Sequence, residues 1–149
     1  MTGKRRKYLE LKDARKIAPF KLKAMNYPVM AMEWSRESEL HKLLRRLSWE
    51  WFESRGYRVG RAKVSAYGCK YYSDYFVVSP SGEFQFVECL TDYSSLPNKL
   101  KLLEYAPLWI VVPIDLGKPK NLLGMPRNLR FLFVDPMFNS VVEDSAQQQ

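Results

Sequence analysis

The 149-residue sequence is poor in the residues that stabilise small secreted or metal-bound domains. It contains two cysteines, Cys69 and Cys89, and one histidine, His41. Two cysteines are too few for a disulfide scaffold, and the absence of a CxxC pair argues against a structural zinc site or an iron–sulfur cluster. We therefore expect a protein of a reducing compartment whose fold depends on its hydrophobic core.

Long apolar runs are also missing. The longest, at residues 108–114, is far shorter than the roughly 18 residues that a membrane-spanning helix needs. No apolar segment follows the basic N-terminal residues, as it would in a secretory signal. These absences predict an intracellular protein, cytoplasmic or associated with the nucleoid, that does not interact with a membrane.

The apolar content is sufficient for one domain. Hydrophobic residues make up 46% of the chain and aromatic residues 14%, which argues against a disordered protein. We divide the chain into a basic N-terminal arm at residues 1–33, an α/β domain at residues 34–138, and a polar C-terminal tail at residues 139–149. We expect the tail to be frayed.

Positive charge is concentrated near the N-terminus. Residues 1–24 hold nine basic and two acidic side chains, whereas the remaining 125 residues hold 15 basic and 14 acidic ones. A basic arm suits a polyphosphate partner, because each cation that meets a phosphate releases condensed counterions. We therefore favour nucleic acid, in particular DNA, over a solubilising tail or a localisation signal. The arm residues assigned to nucleic-acid binding are Lys4, Arg5, Arg6 and Lys7.

A second basic group follows in the domain. Tyrosines that can stack on bases lie nearby in the sequence, so we interpret the group as a phosphate-binding continuation of the arm rather than a solvated face. Its members are Arg45, Arg46, Arg58 and Arg61.

Hydrophobic periodicity predicts the secondary structure. Residues 36–55 have apolar side chains at spacings of three and four, which is typical of an amphipathic helix. Residues 15–25 fit either a short helix or an extended arm. The other predicted elements are strands at 57–65, 71–78, 84–90, 108–112 and 129–135, and a helix at 98–105. This order predicts an α/β fold, a mixed central β-sheet flanked by helices.

Two acidic residues, Asp74 and Glu88, lie inside otherwise apolar strands, where an unpaired carboxylate is costly. A three-residue turn at 80–82 would place them opposite each other, with Cβ atoms about 5 Å apart, whereas a two-residue turn would direct Glu88 to the other face. Facing carboxylates need a cation, and Mg²⁺ or Mn²⁺ suits hard oxygen ligands. The alternative is a structural ion pair of one acid with Lys63, Lys70 or a helix arginine.

With these acids, the order of elements resembles the PD-(D/E)XK nuclease superfamily, which includes restriction endonucleases and archaeal Holliday-junction resolvases. The shared features are a helix with a glutamate, a strand, a strand that opens with aspartate, a strand with a glutamate, a helix and an apolar strand. They span about residues 36–114. The resemblance implies a restriction-endonuclease-like α-β-β-β-α-β fold and a Mg²⁺-dependent endonuclease.

The resemblance also implies a set of metal ligands. Asp74 would be the central metal-binding acid and Glu88 the second. The backbone carbonyl of Cys89 would be a further ligand, and Glu39 the helix glutamate, with Glu37 as the alternative.

The family's lysine, two residues after the glutamate, is replaced here by Leu90. In the family it activates water and stabilises the charge that develops on the phosphate. Lys70 could supply this charge from one side of the site, and Lys99 or Lys101 from the other. His41 is interpreted as a surface or packing residue rather than a base.

The leading hypothesis is metal-dependent hydrolysis of phosphodiester bonds in DNA, with a homodimer as the form that would address two strands. If no lysine replaces the missing one, the scaffold would bind nucleic acid without cutting it. A third hypothesis is a structural component of a nucleoprotein assembly, docked through its arm.

Overall fold

A computed structural model describes residues 8–25, 38–120 and 126–144. Its helices are α1 (Leu11–Ile17), α2 (Glu39–Ser54) and α3 (Leu96–Lys99), and α3 continues into the 3₁₀ helix Leu100–Glu104; a second 3₁₀ helix is Ile114–Leu116. The strands are β1 (Leu22–Ala24), β2 (Arg58–Gly60), β3 (Val64–Ala66), β4 (Tyr75–Val78), β5 (Phe84–Cys89), β6 (Leu108–Pro113), β7 (Leu129–Asp135) and β8 (Ser140–Glu143).

Six strands form one mixed sheet in the order β2-β4-β5-β6-β7-β8, and β1 pairs with β3 in a small separate sheet. The β5–β6 and β6–β7 pairs are parallel, and the others are antiparallel. The prediction of an α/β fold with a mixed sheet and helices is confirmed.

Both faces of the large sheet are buried, which explains why its central strands are almost continuously apolar. Alternating side chains of β4, β5 and β6 enter two separate core clusters. One cluster contains the buried hydrophobic side chains of α2, which are Leu44, Leu47, Trp51 and Phe52. The other contains side chains from the N-terminal segment, β1 and the α3 region, which include Leu9, Ala14, Leu22, Leu96 and Leu102.

Helix α2 forms where the periodicity predicts it. The Ser38 hydroxyl accepts a hydrogen bond from the backbone N–H of His41 at 3.1 Å and so caps the N-terminus. At the other end the chain turns at Gly56, whose φ of 84° is a conformation that favours glycine. The capped helix fixes which of its side chains face the sheet.

The turn between β4 and β5 has three residues, and Ser79 N–H donates to the Glu83 carbonyl at 2.9 Å across it. In this register Tyr75 lies opposite Val87, and Val78 lies opposite Phe84. The register that places Asp74 opposite Glu88 is therefore confirmed.

Three details of the predicted organisation are corrected. Residues 57–65 form two strands, β2 and β3, which belong to different sheets, because the chain bends between Gly60 and Val64. Within the predicted arm, residues 8–25 form α1 and β1 and place side chains in the core. In the predicted frayed tail, residues 140–143 form β8, because β7 offers them an antiparallel partner.

The close pairing of β2 with β4 generates a stability prediction. Gly60 lies opposite Phe76, and a Cβ atom at Gly60 would overlap the Phe76 ring. We expect Gly60→Ala to lower the free energy of unfolding by about 1–3 kcal/mol, measured by urea denaturation. In a Phe76→Leu background the same change should cost at least about 0.5 kcal/mol less, because the ring is gone. Equal costs in both backgrounds would contradict the overlap.

Candidate functional site

Asp74 and Glu88 form a buried carboxylate pair at the adjacent ends of β4 and β5. Their side chains are 5% and 7% exposed. The backbone N–H of Asp74 donates to Glu88 Oε1 at 2.9 Å, and the N–H of Cys89 donates to Asp74 Oδ2 at 2.8 Å. The hairpin backbone thus fixes both carboxylates relative to each other.

Two lysines from other elements balance the pair. Lys63, just before β3, places its Nζ 3.0 Å from Asp74 Oδ1. Lys99, the last residue of α3, places its Nζ 3.3 Å from Glu88 Oε2 and donates to the Tyr72 carbonyl at 2.6 Å. Each carboxylate therefore has its own ammonium partner, one from each side of the hairpin.

His41 is the third group at the pair, and the sequence interpretation of this residue as surface or packing is wrong. Its Nε2 lies 3.2 Å from Asp74 Oδ2 and 3.0 Å from the Cys89 carbonyl oxygen. Both partners are acceptors, so Nε2 carries a hydrogen. A signal for this was present: His41 lies seven residues before Ser48, which faces the sheet and contacts the Tyr75 hydroxyl at 2.5 Å.

The pKa values of the two carboxyl groups are shifted in opposite directions. Burial alone would raise the pKa of Asp74, but the hydrogen bond from His41, the charge of Lys63 and the Cys89 N–H hold it well below its usual range. Burial and the neighbouring Asp74 carboxylate raise the pKa of Glu88 to about 8, against the opposing charge of Lys99. Perturbations of this kind are concentrated at functional sites.

The oxygen donor atoms of the pair suit a hard divalent cation. Two carboxylates are available, and the Cys89 carbonyl oxygen and Asp74 Oδ2 both lie about 3 Å from one atom, His41 Nε2. Oxygen donors of this type are the ligands of Mg²⁺ and Mn²⁺. Within residues 8–25, 38–120 and 126–144, no group of three or more His, Cys, Asp or Glu side chains is arranged to hold a metal ion. Backbone and water would have to complete the coordination.

The structure brings only some of the predicted residues to this pair. Lys99 reaches it, whereas Lys70 and Lys101 line a separate cleft of about 330 Å³ beside the 3₁₀ helix that follows α3. The Glu39 carboxylate is 92% exposed and contacts Lys42 at 3.3 Å, so the α2 side chain at the pair is His41 instead. Glu37 lies outside the described residues.

The basic residues assigned to nucleic acid do not contact the acid pair directly in the described part of the chain, although burial raises the pKa of Cys89 and Arg45 lies near enough to lower it. Arg45 and Arg46 line an open groove of about 450 Å³ along α2. The Arg61 guanidinium lies 4.0 Å from the ring centres of both Tyr8 and Trp49 and contacts Glu53 at 3.4 Å, so its charge is shared with packing and an ion pair. Arg58 is exposed on β2, and residues 4–7 lie outside the described part of the chain.

The raised pKa of Glu88 generates a prediction about stability. Between the ordinary pKa of about 4.5 and the folded value of about 8, the folded state retains a proton that the unfolded state has released. Stability from this group is therefore complete below about pH 4.5 and is lost as the pH rises to about 8, by at most about 1.4 kcal/mol per pH unit. In EDTA, Glu88→Gln should flatten the fall in the free energy of unfolding over this window, measured by urea denaturation at several pH values.

The matched control for this experiment is Glu39→Gln, which removes an exposed carboxylate from the first turn of α2. This variant should keep the pH dependence of the wild-type protein. A wild-type slope in Glu88→Gln would show that Glu88 titrates normally and contradict the buried-pair electrostatics.

Comparisons with known proteins bear on the fold alone. No protein-family model and no curated protein matches the chain. A solved structure of a protein of unknown function from Silicibacter pomeroyi is similar, with a TM-score of 0.52 and 16% sequence identity over 72% of this chain and 70% of that chain. None of the helices in the described part of the chain has the length and apolar composition needed to cross a bilayer.

Proposed function

We propose that this protein hydrolyses phosphodiester bonds in DNA with a divalent metal ion, Mg²⁺ or Mn²⁺. The observation that carries the proposal is the pair of buried carboxylates, Asp74 and Glu88, next to Lys99 at the end of a hairpin. Burying charged groups is expensive, and well-packed apolar residues would stabilise a sheet at least as well. A function that needs two carboxylates and a lysine at one point accounts for that expense.

The order of elements around the pair supports a restriction-endonuclease-like topology as part of this proposal. Along the chain, α2 is followed by β2, β4, β5, α3 and β6, with β3 diverted into the small sheet. The proposal takes this order as the helix, three strands, helix and strand that the resemblance to the nuclease superfamily implies, and it takes Asp74 and Glu88 as the two acids.

In this proposal the ion is held by the carboxylates of Asp74 and Glu88 and the backbone carbonyl of Cys89. The chemistry that it supplies when bound is polarisation of the phosphate and a lowered pKa of the attacking water. Lys63, which contacts Asp74 in the structure, would change partners when the carboxylate binds the ion.

Lys99 takes the role of the lysine that the nuclease superfamily carries at the position of Leu90. Its ammonium contacts Glu88 from α3 rather than from β5, and the Tyr72 carbonyl fixes its direction. A cation at this point stabilises negative charge that develops on the phosphate in the transition state. His41 acts as a positioning residue, because it holds the Asp74 carboxylate in place through Nε2–H.

The proposal also includes DNA as the partner, the basic N-terminal arm as its contact, a homodimer and an intracellular location. The charge of +8 on the whole chain supports a polyanionic partner.

One observation favours a second function, nucleic-acid binding without cleavage. Lys63 and His41 already contact both oxygens of Asp74, and Lys99 contacts Glu88. The pair is therefore balanced by the protein's own cations, as a carboxylate pair that had lost its chemistry would be.

A cleavage assay tests the proposal on linear, branched and single-stranded DNA with Mg²⁺ and then Mn²⁺. We expect metal-dependent cleavage that falls at least about 10²-fold in Asp74→Asn, Glu88→Gln and Lys99→Met. The first two variants lose a ligand of the ion, and the third loses the charge that stabilises the phosphate in the transition state. His41→Ala should fall about 10- to 100-fold, since it removes only the support of Asp74.

Lys101→Met is the matched control for Lys99→Met, because it removes a lysine two residues away that lines the separate cleft. Its cleavage rate should equal that of the wild type. DNA binding without cleavage in the wild-type protein, unchanged in Asp74→Asn and Glu88→Gln, would contradict the nuclease and support the second function.

A further inference from the structure

The small sheet presents a polar face that has no assigned role. Lys21 and Lys23 flank Leu22 in the sequence, and side chains alternate along a strand, so both lysines lie on the face opposite the buried Leu22. The other face of β1 belongs to the hydrophobic core. The lysines are therefore presented outward from a backbone that the core holds in place.

Across the pairing with β3, each position of this face has a defined partner. The Tyr67 N–H donates to the Lys21 carbonyl at 3.1 Å, and Lys23 lies opposite Ser65. Lys63 precedes Ser65 by two residues and so shares its face, and it reaches Asp74 at 3.0 Å. The side chains of this face are therefore about 7 Å apart along the strand, from Tyr67 through Ser65 to Lys63, which contacts the carboxylate pair.

The segment before β4 lies next to β3 and adds further side chains to this face. Val64 forms an antiparallel bridge with Ser73, and continuing that register places Tyr72 beside Ser65. The Lys23 ammonium lies 5.0 Å from the centre of the Tyr72 ring. Ser65 is fully buried, and its hydroxyl has no hydrogen-bond partner in the described part of the chain.

Lysine and tyrosine therefore occur in adjacent pairs on one surface. Lys21 lies 4.8 Å from the centre of the Tyr67 ring, which is 55% exposed, and Lys23 covers Tyr72 in the same way. The Tyr72 carbonyl in turn accepts the hydrogen bond of Lys99. The second pair is thus joined directly to a lysine of the carboxylate site.

We propose that this Lys–Tyr face, formed by Lys21, Lys23, Tyr67 and Tyr72, binds single-stranded nucleic acid and leads one of its phosphodiesters to Asp74 and Glu88. The inference rests on the proposed function for that last step. Single strands are bound by aromatic rings on which bases stack, next to cations that contact the backbone. A duplex keeps its bases stacked on one another, so the exposed ring of Tyr67, with the half-buried ring of Tyr72, favours the single strand.

Fluorescence anisotropy in EDTA tests binding separately from cleavage. The probes are a fluorescein-labelled oligothymidylate of about 16 nucleotides, the matching oligouridylate, and a duplex of the same length. We expect the single strands to bind more tightly than the duplex, and the two single strands to show whether DNA or RNA is preferred. Tyr67→Ala should weaken single-strand binding about 5- to 100-fold, whereas Tyr67→Phe should retain it.

Charge is tested by the salt dependence of the same binding. Removing two phosphate contacts with Lys21→Ala/Lys23→Ala should reduce the slope of log affinity against log salt by about 1.4. The matched control is Lys118→Ala/Lys120→Ala, which removes two exposed lysines outside the basic arm and should leave the slope near its wild-type value. A control effect equal to that of Lys21→Ala/Lys23→Ala would overturn the proposal, as would wild-type affinity in Tyr67→Ala or equal affinity for the duplex.

Asp74→Asn separates this inference from the nuclease proposal. If Asp74→Asn binds single strands tightly and the wild-type protein binds them without cleaving, the Lys–Tyr face is supported and the nuclease proposal is overturned. If the protein cleaves with metal, without preference for single strands and equally well in Tyr67→Ala, the nuclease proposal is supported and the Lys–Tyr face is overturned.

Discussion

Two acidic side chains buried side by side cannot both carry an uncompensated charge, and the arrangement around Asp74 and Glu88 follows from that requirement. The three-residue turn fixes the register of β4 against β5, and that register sets the acids opposite each other. Ammonium groups then approach from two other elements, Lys63 beside β3 and Lys99 at the end of α3. A change of one residue in the turn would direct Glu88 to the other face, away from both Asp74 and Lys99.

The packing around β5 explains why an apolar residue, Leu90, stands two positions after Glu88. Leu90 follows β5 on the same side as Glu88 and is packed into the core cluster that the α3 region covers. A lysine there would have to bury its charge among apolar side chains. Lys99 comes from the covering helix itself, so its ammonium meets Glu88 while its neighbours Leu96 and Leu102 complete the core.

Sequence patterns singled out the two acids and predicted α2, because alternation and helical periodicity are local properties. They left two hairpin registers open, and the structure has the one with the three-residue turn. Local patterns do not show which lysine a helix brings to a sheet, so Lys99 was one of three candidates. His41 was missed although its spacing from Ser48 indicated the sheet-facing side of α2. The pairing of β1 with β3 was missed because three-residue strands are too short to show a period.

The most direct test of the central claim is the binding of Mn²⁺ to the full chain, measured by electron paramagnetic resonance of the free ion. The account predicts one bound ion per chain in the wild-type protein and loss of that binding in both Asp74→Asn and Glu88→Gln, with Glu39→Gln as the unaffected control. A wild-type protein that binds no Mn²⁺ would contradict it. The pair would then be balanced by Lys63 and Lys99, and the carboxylates would serve the fold.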